Sequence, residues 1–469
     1  MHKSAKFKIN VILRCCLPWL VALLFEHHPV LSFLIAYIGS YYIFYLTLWS
    51  RFKCIDSSIE VMKPMMIIQL VFAGFMCCTS IFFFADHLGF TYFNRQGSYP
   101  FSITEQTYLL AKCQRMALLG HIGLVTGMIL QLKPATGNTY KLQIPIDQFL
   151  IKWSLVVAIV AYSLNYIPSF IQFRYYLLPL ATTAQALLLI RGLVYKKPFT
   201  AIYGGLLLGL HILGATLTGY KENLIIQFIM ISFLAYPYFK RTVTWLFLPS
   251  LYMLLYVLPT LTTIIRVESW NGNKTSETAR MEAYDTITDG RNQQLIFNNN
   301  WEFLTNRLSE INMFSLYVKY TPTQQPYYGV EILNNAMLAL IPRALWSDKP
   351  NTEKVAMERV YQSRVINRLS TVSAKTRPVI DGYLSAGSMG VLISLLIYGI
   401  LVQWLCNKAQ ALFGGYELGC IVVFNGLFQQ LWRGNNWEFL INNLVYGFIL
   451  MLILFHALKL TNLLKTDRT

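Results

Sequence analysis

Residues 383–405 of the chain read YLSAGSMGVLISLLIYGILVQWL and contain no charged side chain. An apolar run of roughly 20 residues is long enough to cross a bilayer as a helix. Similar runs recur along the whole sequence, and because they are continuously apolar rather than alternating, they predict helices and not a β-barrel. Twelve such runs lie at about 11–26, 29–49, 64–84, 106–131, 150–168, 175–193, 199–218, 222–239, 243–265, 383–405, 414–431 and 439–459. The predicted fold class is all-α, a polytopic membrane protein with about twelve transmembrane helices.

The composition also indicates a membrane protein. The chain has 469 residues, of which 55% are hydrophobic and 13% are charged, and its mean hydropathy is +0.45. Soluble domains carry about a quarter charged residues. The formal net charge is +17. Because basic residues flank membrane helices, this excess reports topology and contact with anionic lipid, and it does not predict nucleic-acid binding.

One long polar stretch, residues 266–381, interrupts the apolar runs. It carries fourteen Lys and Arg residues, twelve Asp and Glu residues, and no His or Cys. The predicted organisation is therefore a membrane domain over 1–265 with nine helices, a large loop over 266–381, and a second membrane part over 382–469 with three helices. The loop is expected to form a small helical cap. Its charge indicates chemistry, or recognition of an anionic head group, at the membrane surface.

Basic residues mark every second connection between the predicted helices. They precede the first helix and follow the second, fourth, sixth, eighth, tenth and twelfth. Since Lys and Arg are retained on the cytoplasmic side, this alternation predicts that both termini are cytoplasmic and that the large loop lies outside. The first apolar run lacks a small-residue cleavage site, which predicts a retained helix rather than a signal peptide.

The sequence predicts neither a metal nor another cofactor. It contains no Asp-x-Asp pair and no His-x-x-His pair, and the adjacent His27 and His28 lack a recognisable third ligand. All eight cysteines lie outside the large loop. A disulfide framework in that loop is therefore not expected.

Basic residues on the external side are predicted to meet at one anionic site. They are Lys221, Arg266, Arg280, Arg343, Arg377 and Arg433. Arg115 is added because a charge within a membrane helix usually faces a cavity or a partner. Arginine suits bidentate phosphate contacts, and lysine supplies a point charge. Any one of these residues alone could simply be a membrane anchor, but their convergence on one face favours a pyrophosphate-binding site.

Candidate catalytic and sugar-binding residues come from the same loop. Glu282, Asp348 and Asp381 adjoin basic residues and are candidates for a general base that acts on a sugar hydroxyl. Most loop carboxylates are instead expected to be solvated or paired. The candidates for stacking on sugar rings are Trp270, Trp346 and Tyr328. Each aromatic residue taken singly is more typical of an interface belt or of the core of a cap.

Four segments carry a resemblance to a known family. They are TGYKENL (218–224), IPRALWSDKP (341–350), RPVIDGYLSAGSMGVL (377–392) and LWRGN (431–435). Together with the topology of the whole chain, they resemble the bacterial oligosaccharide repeat-unit polymerases of the Wzy type. The segment 341–350 is the most specific part. The resemblance implies a GT-C-like membrane fold.

The resemblance also implies an activity, which is metal-independent glycosyl transfer at the periplasmic face of the bacterial inner membrane. The implied substrates are oligosaccharide repeat units linked to undecaprenyl pyrophosphate. The growing chain would be the donor, and a hydroxyl of a single lipid-linked unit would be the acceptor. Lys221, Arg343 and Arg377 match the family-like motifs. Whether a chain-length regulator binds as a further partner is left open by the sequence.

Three other functions stay open at this point. An O-antigen ligase shares the architecture and the lipid-linked donor, but the histidine that marks the external loop of ligases is missing here. A lipid-linked oligosaccharide flippase would predict two similar halves with short external loops. A non-enzymatic component of an export complex would use the large loop as a docking surface.

Overall fold

The computed structural model describes most of the chain. The described residues are 2–50, 60–96, 102–132, 140–167, 170–217, 221–252, 259–260, 292–341, 346, 348–369 and 374–466, with the single positions 278, 281 and 285. For 2–5, 215–217 and 221–223 the description covers the backbone alone.

Helices dominate the described residues, as the apolar runs predict. Eight of these helices are long and apolar enough to cross a membrane, and each coincides with a predicted run. They are Lys6–Leu24, Pro29–Trp49, Pro64–His87, Glu105–Gln131, Ile146–Tyr166, Ile171–Val194, Pro378–Leu412 and Trp437–Leu460. The all-α fold class and the multi-pass character of the chain follow from these helices.

The other four predicted runs give shorter helices. Three are the apolar helices Pro198–Gly214, Leu224–Ala235 and Tyr416–Leu427. The fourth run, 243–265, is described in part, and the chain is helical from 240 to 252. A count of twelve spans therefore stays a prediction. Within the described residues four stretches are π-helical, namely Tyr45–Trp49, Gln69–Ala73, Phe303–Leu308 and Tyr416–Phe424.

The described part of the large loop between residues 292 and 369 is also helical, and we call it the cap. Its α-helices are Gln293–Glu302, Ile311–Tyr320, Glu331–Ala339 and Thr352–Gln362. The last of these begins where a Pro-Asn-Thr sequence predicts a helix start, because the side chain of Asn351 accepts a hydrogen bond from the Glu353 amide at 2.9 Å. We call Thr352–Gln362 the cap helix.

The bundle has two chemically distinct ends. At one end, Lys8 Nζ donates to the carbonyl of Leu132 at 2.7 Å, and a short antiparallel ladder joins Tyr140–Leu142 to Leu464–Thr466. Lys8 and Thr466, which are close to the two ends of the sequence, thus lie near this face, which we call the terminal end. At the opposite face Gln106 Nε2 donates to Ser315 Oγ in the cap at 2.9 Å, and we call it the cap end. A second short ladder pairs Phe90–Thr91 with Asn94–Arg95.

The helix Glu105–Gln131 forms the centre of the bundle, and most of its length is buried. Its glycines allow the helix Pro378–Leu412 to approach closely. A Cβ atom on Gly123 would lie 2.9 Å from the Leu392 carbonyl oxygen, and one on Gly127 would overlap with the Leu396 carbonyl. Small residues at such contacts are typical of helix packing in membranes.

The helix Pro378–Leu412 is broken near its start, and we call it the broken helix. Ala386 and Gly387 have non-helical backbone angles, with φ of +60° at Gly387. Gly382 lies against Gly390 and Val391, so the first two turns fold back beside the main helix. Hydropathy predicts one continuous span over 383–405, whereas the structure divides it into a short half-helix and a longer one.

The cap is fastened to this break by backbone hydrogen bonds. The amides of Tyr328 and Gly329 donate to the carbonyls of Leu384 and Ser385 at 2.9 and 3.0 Å. These carbonyls lose their partners within the helix where the helix breaks. Non-helical backbone at membrane depth is tolerated where protein groups satisfy it. The break therefore joins the cap to the membrane helices.

Candidate functional site

A cavity of about 920 Å³ lies at the cap end. Its wall is formed by the start of the helix Ile171–Val194, by cap residues from 306 to 366, by the segment 374–377, and by residues 430–443. The last region includes the start of Trp437–Leu460, which we call the C-terminal helix. The cavity is thus bounded by the cap on one side and by the ends of membrane helices on the other.

Basic side chains outnumber acidic ones in the wall of this cavity. The basic residues are Arg307, Lys375, Arg377 and Arg433, and the acidic residues are Glu310 and Glu353. Lys375 stands over the ring of Phe439, with 4.0 Å between Nζ and the ring centroid. An excess of guanidinium and ammonium groups suits a phosphate or another anionic group.

Amide and aromatic side chains form the rest of the polar lining. The amides are Gln172, Asn306, Gln430, Asn435, Asn442 and Asn443, and the aromatic rings are Tyr175, Tyr176 and Phe439. Each amide can both donate and accept hydrogen bonds. A wall of this composition can contact many hydroxyl groups while it also offers apolar ring faces.

Arg377 is held in place by three parts of the chain. Its Nε and Nη2 atoms donate to the carboxylate of Glu310 at 2.8–3.0 Å. Its Nη1 atom donates to the carbonyl of Arg433 at 3.2 Å, and its guanidinium stands over the ring of Phe75. The cation is therefore fixed beside a carboxylate, and both groups line the cavity.

The position of Arg433 depends on the glycine that follows it. The short helix Gln430–Arg433 ends at Gly434, whose φ is +58°. A Cβ atom at this position would overlap with the ring of Phe72. Glycine tolerates both the left-handed backbone and the close approach. The sequence LWRGN thus forms a tight turn that places Arg433 and Asn435 in the wall.

A buried ion network lies directly behind the wall. Arg359 from the cap helix donates to both oxygens of Glu438, at 2.5 and 3.0 Å, and to Asp381 Oδ1 at 3.2 Å. Thr376 Oγ1 donates to the same Asp381 oxygen at 2.6 Å, and the Trp437 amide donates to Asp381 Oδ2 at 2.9 Å. The side chains of Arg359, Asp381 and Glu438 are 3%, 0% and 0% exposed.

The carboxylates hold Arg359 in its charged form. Burial alone lowers the pKa of a guanidinium, but Asp381 and Glu438 outweigh that effect, and the pKa of Arg359 is raised. Burial, reinforced by the nearby Asp381 charge, also raises the pKa of the neighbouring Tyr317. Arg359 is therefore a permanent cation in the protein interior.

A related ion cluster lies at the terminal end. Arg191 Nε donates to Asp147 Oδ1 at 2.6 Å, and its Nη1 atom donates to Glu417. Lys197 Nζ donates to Asp147 Oδ2 at 2.6 Å. Here the arginine is 14% exposed, Glu417 is 39% exposed and Lys197 is 55% exposed. None of these four residues lines the cavity at the cap end.

Two of the predicted pyrophosphate-binding residues meet at the cavity, namely Arg377 and Arg433. Arg115 lies elsewhere. Its guanidinium is buried and donates to Ser32 Oγ at 2.8 Å and to Glu26 at 3.3 Å. Arg115 therefore has a partner within the helical bundle, as expected for a charge inside a membrane helix.

The two predicted catalytic carboxylates in the described residues have different surroundings. Asp381 is completely buried in the ion network, where both its oxygens accept hydrogen bonds. Asp348 is exposed. Neither lies in the described wall of the cavity, whereas the carboxylates of Glu310 and Glu353 do.

The predicted sugar-binding aromatics in the described residues also lie outside that wall. Trp346 is half-buried. The hydroxyl of Tyr328 donates a hydrogen bond to Gln362 Oε1. The backbone amide of Tyr328 donates to the carbonyl of Leu384 in the broken helix. The rings that line the cavity are those of Tyr175, Tyr176 and Phe439.

The remaining predictions fall on residues that are not described. Glu282, Arg266, Arg280, Arg343 and Trp270 lie outside the described residues. Lys221 begins the helix Lys221–Ala235, but its side chain lies outside the described part.

Several residues of the site were not singled out by the sequence analysis. Arg307, Lys375, Glu310 and Glu353 line the cavity, and Arg359 and Glu438 form the network behind it. The segment NNWEFLINN at 435–443 is a sequence feature that could have indicated part of this site. It places a carboxylate and several amides at the start of an otherwise apolar span. Polar groups at such positions indicate a cavity or a partner.

Comparison with known proteins gives a family but no function. No curated protein and no solved structure matches the chain. One family matches it over residues 17–466, which is nearly the whole sequence. The chain therefore belongs to the family described as a domain of unknown function, DUF8712.

Proposed function

We propose that the chain is a membrane glycosyltransferase that joins oligosaccharide repeat units linked to a polyprenyl pyrophosphate such as undecaprenyl pyrophosphate. The observation that carries this proposal is the cavity at the cap end, which combines four cations, six amides and three aromatic rings at the ends of membrane helices. A lipid-linked glycan has a membrane-embedded tail, an anionic linker and a polar sugar chain. The cavity offers a surface for the last two next to the membrane helices.

In this proposal the cations bind the pyrophosphate. Lys375, Arg377 and Arg433 come from two neighbouring parts of the wall. Fixed positive charges in a partly dehydrated site stabilise the negative charge that develops on a leaving group. The pairing of Arg377 with Glu310 lowers the net charge it offers, but the Arg433 carbonyl and the Phe75 ring keep its guanidinium in place.

The amides and rings bind the sugars. Asn442 and Asn443 are successive residues of the C-terminal helix, and Phe439 lies one turn before Asn443. Amide groups can exchange hydrogen bonds with sugar hydroxyls, and aromatic rings offer an apolar face to the CH groups of a pyranose. This arrangement supports binding of a neutral glycan beside a charged linker.

The reaction that we propose is a single displacement or its dissociative equivalent. The acceptor hydroxyl oxygen forms a bond to the anomeric carbon of the donor, and the bond between that carbon and the phosphate oxygen breaks. The polyprenyl pyrophosphate leaves with the electron pair, and the hydroxyl proton passes to a carboxylate. Glu353 is our candidate for this base, because it lines the cavity, whereas both oxygens of Glu310, the other carboxylate in the wall, accept hydrogen bonds from Arg377.

The proposal includes an orientation and a fold type. The terminal end would face the cytoplasm of a bacterium, since Lys8, Lys141, Lys197 and Lys465 lie there. The cap would then lie in the periplasm, above the outer leaflet of the inner membrane. A GT-C-like relation to other lipid-linked glycosyltransferases belongs to the same proposal.

The test is a gel of lipid-linked and surface glycans from a strain in which the gene is deleted. We expect the wild-type gene to restore a long ladder, and Arg377→Ala to leave a single repeat unit at normal protein level. Lys197→Ala is the matched control, because it removes a cation from the opposite end of the bundle.

Other patterns on the gel would point to other functions. Normal long polymer with Arg377→Ala would overturn the site assignment. Long lipid-linked chains that fail to reach the surface in the deletion strain would indicate a ligase, and single units that accumulate inside the cell would indicate a flippase. A normal ladder in the deletion strain would mean that another protein forms the polymer, which would indicate a non-enzymatic role.

A further inference from the structure

The cavity wall and the buried ion network share the same backbone. Thr376 belongs to the network, and its two neighbours, Lys375 and Arg377, line the cavity. Glu438 also belongs to the network, and the next residue, Phe439, lines the cavity. A displacement of the backbone at Thr376 or Glu438 would therefore also displace these wall residues.

Three separate elements meet in this network. Arg359 comes from the cap helix, Asp381 from the first half of the broken helix, and Glu438 from the first turn of the C-terminal helix. Asp381 also accepts the Trp437 amide, which lies at the start of the C-terminal helix. One carboxylate thus bonds to the cap, to the segment that precedes its own helix, and to a second membrane helix.

The energetics argue that the network does more than stabilise the fold. A buried ion pair is weak support for stability, because well-packed apolar residues of similar volume are often equally or more stabilising. What the paired and hydrogen-bonded groups provide is a defined geometry, since a guanidinium and a carboxylate bond only within narrow ranges of distance and angle. Arg359 binds both oxygens of Glu438, which fixes the relative position of the cap helix and the C-terminal helix.

We infer that Arg359, Asp381, Glu438 and Thr376 are positioning residues, which set the distance between the wall that carries Lys375 and Arg377 and the wall that carries Phe439. The anionic linker and the first sugar would contact these two walls together. This inference rests on the proposed function, because it assigns the network a role in binding a polyprenyl pyrophosphate.

The experiment uses the purified full-length protein in detergent and farnesyl pyrophosphate, a short polyprenyl pyrophosphate, as the probe. Thr376→Val removes one hydroxyl from the network with little change of shape, and Thr376→Ser restores it. We expect Thr376→Val to raise the Kd by about tenfold, since small displacements of binding groups have effects of this order or larger. Thr376→Ser should bind as the wild type does.

Two further variants make the result specific. Glu438→Gln keeps the shape and an acceptor oxygen but removes one charge, so it tests the same network from the other wall and should also raise the Kd. Arg191→Lys weakens the cluster at the terminal end. It should lower the melting temperature and leave the Kd unchanged.

Each outcome either supports or overturns the inference. A raised Kd with Thr376→Val and Glu438→Gln, together with recovery in Thr376→Ser, supports a positioning role. A lowered melting temperature with a wild-type Kd in both network variants would show that the network only stabilises the fold. If the wild type binds farnesyl pyrophosphate no better than Arg377→Ala does, the proposed function fails at its site and this inference fails with it.

Discussion

The two ends of the bundle each hold an arginine between two carboxylates, but the two clusters differ in their access to solvent. At the cap end Arg359, Asp381 and Glu438 are almost completely buried. At the terminal end Arg191 shares Asp147 with the exposed Lys197, and its second partner, Glu417, is partly exposed. The same pairing of groups thus occurs in a dry and in a partly wet setting.

The difference teaches how burial changes what an ion pair does. Exposed pairs contribute about 0–1 kcal/mol, because water already solvates both charges. Loss of one partner from a buried pair is strongly destabilising, because the other charge is left without compensation. The exposed Lys197 of the terminal cluster is therefore replaceable, whereas the network at the cap end has to be kept or replaced as a unit. The network at the cap end also lies directly behind the wall of the candidate site.

The largest expected effect is a difference in thiol labelling between the cap end and the terminal end, which we propose lie on opposite sides of the membrane. A cysteine in place of Gln324, which is exposed in the cap, should react with an impermeant thiol reagent in intact spheroplasts. A cysteine in place of Thr461, at the terminal end, should react only after permeabilisation. Equal labelling of both positions in intact cells would contradict the proposed orientation. The unsubstituted protein, which keeps its native cysteines, supplies the background.

The next effect compares the two arginines directly. Arg359→Met should lower the free energy of unfolding by roughly 3–5 kcal/mol, because two buried carboxylates lose their cation. Arg191→Met should lower it by only about 1 kcal/mol, since water and Lys197 compensate part of the loss. Denaturant unfolding of both purified variants in the same detergent measures the difference. Similar losses in the two variants would show that burial does not separate the clusters.

The sequence predicts the membrane helices better than it predicts the site. Hydropathy predicts the eight described helices that are long and apolar enough to span a membrane, since twenty apolar residues have few other stable environments. It misses the break at Gly387, because glycine and alanine are as compatible with a span as with a tight reversal. The fold-back depends instead on the contact between Gly382 and Gly390, which a hydropathy profile does not contain.

The ion network could not be predicted for a different reason. Arg359 and Glu438 are 79 residues apart in the sequence, and each adjoins other polar groups that are equally plausible partners. Arg377 was predicted because it stands in a family-like motif, and Arg433 because it lies at a predicted helix end on the external side; both line the cavity. Motifs thus predict local placement, whereas the partner of a charge is decided by packing of distant elements.

A third prediction compares two glycines with left-handed backbone, one at each end. Gly434 has φ of +58° and Gly414 has φ of +75°, so alanine at either position costs about 1–2 kcal/mol of backbone strain. At Gly434 the new methyl group would also overlap with Phe72, which adds about 1–3 kcal/mol. At Gly414 the nearest atom is the Tyr140 carbonyl oxygen at 3.3 Å, which is a close contact but not an overlap.

The measurement is the melting temperature of the two alanine variants, together with farnesyl pyrophosphate binding. Gly434→Ala should be the less stable variant and should also bind more weakly, because Arg433 and Asn435 flank the glycine in the cavity wall. Gly414→Ala should bind normally. Equal stability of the two variants would show that Phe72 moves aside without cost.

The smallest effect concerns Lys197, and it separates the two clusters by their response to salt. Lys197→Gln removes one of two cations from Asp147, but Arg191 remains at 2.6 Å from that carboxylate. Since the lysine is 55% exposed, we expect a loss of about 0.5 kcal/mol at low ionic strength. The loss should vanish near 1 M salt, where the screening length falls to about 3 Å.

The destabilisation by Arg359→Met should persist at that salt concentration, because ions do not enter the buried network. Unfolding titrations of both variants at low and high salt make the comparison, and an equal response to salt would mean that water reaches the network at the cap end as well.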